Sequence, residues 1–329
     1  MSNMQLAQDE KGRKSLRNER VKEYITRYGV AFGILILGVV FSLASPSFLD
    51  TANFLNILKQ TSINAFIAVG IMFVIVAGGI DLSVGSNVAV TCIMLSLFLS
   101  RQMGTGVSVV LALAIATGIG LLNGLACAHT RIPPFIVTLS MLTIGRGMAL
   151  IISQGTPIYV RNDFMAWLGR GAILGIQTSI VILLVFLIVS WVILNKTKIG
   201  RYTYAIGGNI DTAKLSGIRV GSYITFTYAY LGFLTGVAAV IMTGRLASGT
   251  PTIGTGYELD AIAAAVLGGT AFTGGTGTVA GTMLGAIFIG VMNNGMTILN
   301  VSPYFQAVLR GVVIFVSVLI SVVSSAKKR

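Results

Sequence analysis

The feature that most constrains this chain is the spacing of its charges. Uncharged intervals cover residues 28–49, 60–80, 82–100, 171–195 and 220–244, which are 22, 21, 19, 25 and 25 residues long. Two more, 102–130 and 261–309, are 29 and 49 residues long when His129 is counted neutral. An α-helix needs about 20 apolar residues, within a range of about 17–25, to cross the hydrocarbon of a bilayer. The intervals match that length one after another, and the longest has room for two crossings. Composition agrees: 10% of the 329 residues are charged, 54% are hydrophobic, and the mean hydropathy is +0.87. A soluble domain carries roughly 25% charged residues. An ordinary soluble enzyme, a disordered chain and a disulfide-stapled secreted domain are therefore excluded.

The expected fold is all-α, a polytopic transmembrane helical bundle of about ten spans, some of them short or broken. The spans fall near 28–45, 63–80, 84–100, 107–128, 134–152, 172–194, 223–243, 259–273, 277–299 and 305–324, and the fifth contains Arg146. The expected organisation is a basic tail over 1–27, one membrane domain over 28–324 with a long loop at 195–222, and a short tail at 325–329.

Positive charge sets the orientation. With the N-terminus inside, sixteen basic residues lie on the inner side and five on the outer side: Lys59, Arg101, Arg161, Arg170 and Arg245. Both termini are therefore expected in the cytoplasm. The net charge of +13 gathers at loops and ends and leaves no extended basic face for a duplex, so no nucleic acid is expected. Two outer segments are longer than a turn. Residues 50–60 suggest a short helix capped by Asp50 or Thr51, with Phe54, Leu55 and Leu58 on one face. Residues 153–171 carry Tyr159, Phe164 and Trp167, either as interfacial anchors or as a docking surface for an external partner.

The usual devices of chemistry are missing. No Gly-Lys dipeptide occurs, so there is no P-loop to hold ATP. The single His129 cannot build a metal set or a catalytic triad, and Cys92 and Cys127 lie in apolar runs. No catalytic residue, metal ligand or bound cofactor is expected. Acids near the membrane are few, and only Asp81, Glu258 and Asp260 adjoin span ends or broken segments. A secondary ion-coupled transporter or a channel for a small polar solute stays open on these grounds.

Four stretches carry a signal. Asp81 and Ser83 sit between glycines and two apolar runs, which suggests a helix break, with Asp81 able to cap the following helix. Glu258 and Asp260 precede a helix of small residues, where they would occupy the first turn or pair with Arg245. Asn293 and Asn294 lie in the ninth span, and Asn64, Asn87 and Asn123 in others; buried amides bond neighbouring helices or meet a polyhydroxy solute. In the inner loop, Asn209 or Asp211 would start a short helix that Gly217 ends. Such a helix is a solvated connector or a handle for another protein.

Three of these stretches agree in order and spacing with a known family. Gly79-Ile80-Asp81-Leu82-Ser83-Val84-Gly85, Arg201 through Gly217, and Gly254 through Gly269 resemble the membrane permease subunit of ribose-type monosaccharide ABC importers, over about Asn53 to Tyr304. The resemblance makes Asn209, Asp211, Thr212, Ala213 and Gly217 an ATPase-coupling loop, with Asp in place of Glu and Thr in place of the first Ala. It implies a second permease copy or a paralogue, a cytoplasmic ABC ATPase that holds ATP and Mg, and an extracytoplasmic sugar-binding protein. It also implies a multi-pass place in the cytoplasmic membrane of a prokaryote. Asp81, Ser83, Asn64, Glu258, Asp260, Asn293 and Asn294 are the candidates for lining the pathway or breaking helices.

Overall fold

The computed structural model describes residues 29–326. The basic tail at 1–27 and the closing Lys327, Lys328 and Arg329 lie outside the described residues, and so do the orientation arguments that rest on them. The described chain is helical almost throughout. Its long elements are α1 (Gly29–Ala44), α2 (Thr51–Val76), α3 (Val84–Ser100), α4 (Thr105–His129) and α5 (Pro134–Ser153). They continue with α7 (Thr178–Lys196), α10 (Val220–Leu246), α12 (Val279–Ile298) and α13 (Pro303–Ala326). Shorter helices are α6 (Asp163–Arg170), α8 (Lys198–Gly208), α9 (Ile210–Leu215) and α11 (Tyr257–Leu267). Two-residue strands pair β1 (Ile158–Tyr159) with β4 (Ser248–Gly249), and β2 (Ala172–Ile173) with β3 (Ile176–Gln177).

Six helices (α2, α4, α5, α7, α10 and α12) are long and apolar enough to cross a membrane, and α1, α3 and the Pro303–Leu319 part of α13 are shorter apolar stretches. Apolar residues surround these helices on every side, so the usual inward stripe is absent and burial sorts them instead. The centre is α2 with α10 and α12, whose Phe66, Ile71, Phe73, Tyr228 and Leu231 are almost fully buried. Around it, α1, α4, α5, α7 and α13 turn Phe32, Val110, Ile144, Ile188 and Phe315 outward. An apolar skin this extensive suits lipid or another apolar chain, not water.

Two of the expected elements differ from the structure. The outer segment at 50–60 is no separate helix: α2 runs unbroken from Thr51, with Asp50 at its N-cap but making no side-chain cap bond. Phe54 and Leu55 there are exposed. The eighth span, placed at 259–273, is the 11-residue α11, about 16 Å long at 1.5 Å per residue. That is half of a ~30 Å hydrocarbon layer. Its missing half is the non-helical stretch 247–256, which runs antiparallel to α3. A Cβ on Gly249 would crowd Cys92 O and Ser96 Oγ, at 2.5 and 2.6 Å, and one on Gly254 would crowd Gly85 O at 2.5 Å. From the level of Cys92 O to that of Gly85 O the chain thus descends about 10 Å along α3 before α11 begins. The segment 247–267 is thus composite, and its non-helical part, mostly turns after β4, carries no helical period.

Close helix packing depends on absent side chains. Where α4 meets α10, a Cβ on Gly232 would lie 2.5 Å from Ala116 O and 3.0 Å from Gly120 Cα. Gly147 on α5 has nothing within 4 Å of that position. Gly232→Ala should therefore cost about 1–3 kcal/mol by overpacking. Gly147→Ala should gain up to about 1 kcal/mol from helix propensity. Thermal unfolding of the two purified variants in detergent, against the parent, checks the opposite signs.

Candidate functional site

The site is built on two places where the backbone leaves its helix among buried residues. The first follows α2. Gly78, at φ +83°, takes the left-handed conformation that closes a helix end; its amide bonds Ile75 O at 2.8 Å, and the Gly79 amide bonds Val74 O at 2.9 Å. Beyond that turn, Ile80 O accepts from the Tyr228 hydroxyl at 2.9 Å. Asp81 Oδ1 accepts from both Ser83 N and Ser83 Oγ at 2.7 Å, and Asn123 Nδ2 reaches Asp81 Oδ2 at 3.3 Å and Ser83 Oγ at 2.8 Å. Asp81, Ser83 and Asn123 are all buried. Asp81 is therefore not the helix cap that was expected. The N-cap of α3 is Ser83, and Asp81 folds the turn ahead of it.

The second is the non-helical stretch before α11, which turns repeatedly over 251–256. Unpaired peptide groups in apolar surroundings cost several kcal/mol each, and Arg146 supplies the partner. Its Nη1 donates to Pro251 O at 2.7 Å and to Ile253 O at 2.8 Å from the middle of α5. Glu258 Oε1 accepts from the Gly256 amide at 3.3 Å. The two breaks touch: a Cβ on Gly85 would meet both Gly254 O and Glu258 Oε2. Residues 79–85 and 254–269, far apart in sequence, are thus one structural unit.

Asp260 points away from that contact. Its Oδ2 lies 3.7 Å from Arg310 Nη1 and 3.3 Å from Asn293 Nδ2, which ties α11 to α12 and α13. The expected partner Arg245 is not the one used: Asp260 and Arg310 pair because α13 packs on α11. One residue on, Asn294 donates to Asn53 Oδ1 at 2.8 Å, and Asn53 in turn donates to Phe48 O at 2.9 Å, joining α12 to the start of α2. Glu258 Oε2, Asp260 Oδ1, Asn293 Oδ1 and Asn294 Oδ1 are buried acceptors left without a partner among the described residues. Asn64 is half-buried and joins neither network.

The third part lies at the end of the molecule where α2 finishes. Asn209 caps α9: its Oδ1 accepts from Asp211 N at 3.0 Å and Thr212 N at 2.9 Å. Gly217, at φ +77°, closes the same helix, with its amide on Lys214 O at 3.0 Å and the Ile218 amide on Ala213 O at 3.1 Å. This double bond pattern explains the spacing from Ala213 to Gly217. Ala213 is buried against Ile206 and Val220, while Asp211, Thr212 and Lys214 are exposed and Leu215 is 90% exposed. The ion pair between Lys214 and Asp211, 3.6 Å apart and solvated, adds little. A six-residue helix, pinned at both ends, therefore offers a bare leucine among polar groups.

At the opposite end, α6 sets Phe164 beside Trp167, with ring centroids 5.8 Å apart, planes tilted by 35° and both side chains exposed. Lys59, Arg170 and Arg245 line one cavity beside it, of about 400 Å³. Arg161, Arg170 and Asp163 line its neighbour, of about 590 Å³. Four basic residues that are scattered in sequence thus converge, and none has a carboxylate within ion-pair distance among the described residues.

Arg146, Tyr228, Asn53 and Arg310 hold these networks and are not among the candidates named from the sequence. Arg146 had a signal, since a charge inside an apolar span is a functional residue by default. Tyr228 and Asn53 had none. Removing the Arg146 donor in Arg146→Met should destabilise the protein by on the order of 3 kcal/mol. Amide hydrogen exchange should rise across 250–256 and stay unchanged across 77–83, whose donors are elsewhere.

Residues 53–318 match the family described as branched-chain amino acid transport system / permease component. The ribose import permease protein RbsC of Escherichia coli (strain K12) is 40% identical over 303 residues, 91% of this chain and 94% of that protein. RbsC of Bacillus subtilis (strain 168) is 41% identical over 302 residues, 91% of this chain and 94% of its own length. The galactose/methyl galactoside import permease protein MglC of Escherichia coli (strain K12) is 32% identical over 334 residues, covering 96% of this chain and 99% of that one. No solved structure matches the chain. All three stretches of the site lie inside the matched region, and at this identity and coverage the chain belongs to the branched-chain amino acid transport system / permease component family.

Proposed function

We propose that this chain is the membrane-spanning subunit of an ATP-driven importer for a monosaccharide of the ribose type, multi-pass in the cytoplasmic membrane of a bacterium. The observation that carries the proposal is its alignment, over nine-tenths of its length, with ribose import permeases. Nine apolar helices and the composite segment 247–267 would make ten crossings, with both termini inside. One membrane domain over 28–324 then follows the basic tail. In that orientation α8 and α9 face the cytoplasm and α6 faces outward.

The chain itself does no chemistry. ATP and Mg belong to a separate ABC ATPase, for which the exposed face of α9 around Leu215 is the dock. Support comes from the rigidity of α9: a doubly capped helix can pass on a push without melting first. A sugar-binding protein would meet the outer face beside α6, where Lys59, Arg161, Arg170 and Arg245 suit an acidic partner. A second copy or a paralogue would cover part of the apolar skin, and lipid the rest. Between the two faces, the breaks at 77–83 and 247–256 are where helices can reorient without breaking a continuous backbone ladder. Asp81, Ser83, Glu258, Asp260, Asn293 and Asn294 hold these breaks or line the route beside them.

Leu215→Glu tests the dock. The residue is 90% exposed, so the fold is untouched. Co-purification with the ATPase should fall at least tenfold while the thermal midpoint of the lone subunit stays unchanged. Undiminished co-purification would contradict the assignment.

A further inference from the structure

Three backbones meet where α8 ends. Gly207 lies on the carbonyl of Val76, the last residue of α2, and on the amide of Gly275 in the loop between α11 and α12. A Cβ at Gly207 would overlap Val76 O and lie 2.5 Å from Gly275 N. Gly275 N donates to that same Val76 O at 2.9 Å. A Cβ at Gly274 would come within 2.9 Å of Gly207 O and 3.1 Å of Gly78 Cα. One turn earlier on α8, the Tyr204 hydroxyl donates to Gly277 O at 2.6 Å.

No side chain separates these main chains. A rotamer change can absorb a displacement, whereas touching backbones pass it on, because packed interiors yield little. Asn209, the cap of α9, directly follows Gly208. Any movement of α9 therefore reaches two places at once. Through Val76 it reaches the turn at 77–83, and through Gly275 the loop that joins α11 to α12, the helices carrying Glu258, Asp260 and Asn293.

We propose that Gly207 is a positioning residue of the transport cycle, whose bare contact with Val76 and Gly275 carries the stroke from α9 into both broken segments together. The inference rests on α9 being the ATPase dock. Gly208 is the built-in control: it is the next residue of the same helix, and nothing lies within 4 Å of a Cβ placed there.

The test reconstitutes the whole complex of permease, ATPase and binding protein in proteoliposomes. D-ribose accumulated per ATP hydrolysed is then measured for Gly207→Ala, Tyr204→Phe and Gly208→Ala. Gly207→Ala should hydrolyse ATP yet move about tenfold less sugar per ATP, Tyr204→Phe about threefold less, and Gly208→Ala the same as the parent. A purely structural role would lower complex yield, and hydrolysis with it, and leave the ratio unchanged. Parental ratios in Gly207→Ala and Tyr204→Phe, or an equal loss in Gly208→Ala, would overturn the proposal. If Gly207→Ala does not assemble, an unchanged ratio in Tyr204→Phe overturns it alone. Failure of the parental complex to import ribose with ATP would instead bring down the functional reading itself.

Discussion

A peptide group that leaves its helix inside an apolar bundle has no water to turn to, and its partner must come from the protein. Most of the specific chemistry in this chain answers that requirement. Arg146 crosses from α5 to hold two carbonyls of the non-helical stretch before α11. Tyr228 reaches from α10 to a carbonyl of the turn after α2, and Asp81, Ser83 and Asn123 close the rest of it. Each interaction compensates a broken ladder, and each break is a place where the bundle can bend.

The second constraint is closeness. Gly85 against Gly254, Gly232 against Gly120, and Gly207 against Val76 and Gly275 bring main chains to distances that any side chain would forbid. These contacts join parts that are remote in sequence into one mechanical unit, from the exposed face of α9 to the acid–amide network around Asp260. The high glycine content, 40 of 329 residues, thus has a specific use at these junctions beyond general helix packing in lipid.

Much of the fold was legible because charge spacing is set by bilayer thickness. Nine of the ten expected spans coincide with apolar helices, and the helix at Asn209–Gly217 follows from its own cap residues. The remaining one, expected at 259–273, is helical only as α11, because the stretch before it leaves no helical period: its course is fixed by contacts with α3 and Arg146, which are tertiary. The same holds for pairings. The first-turn place of Glu258 and Asp260 follows from the sequence, but of a pairing with Arg245 or none, Asp260 takes neither: its partner is Arg310, brought in by α13. That Asp81 and Glu258 stand beside breaks in the helices could be read from the glycines next to them. That their two stretches meet at Gly85 and Gly254 could not, because glycine contacts have no side-chain signature.

The central claim is that this subunit is a passive conduit until a nucleotide-driven partner acts on its inner face. The most direct measurement is radiolabelled D-ribose uptake into proteoliposomes, with the subunit alone under a proton or sodium gradient, and with the ATPase, binding protein and ATP added. The account predicts no accumulation in the first case and accumulation in the second. Concentration of ribose by the lone subunit would contradict it.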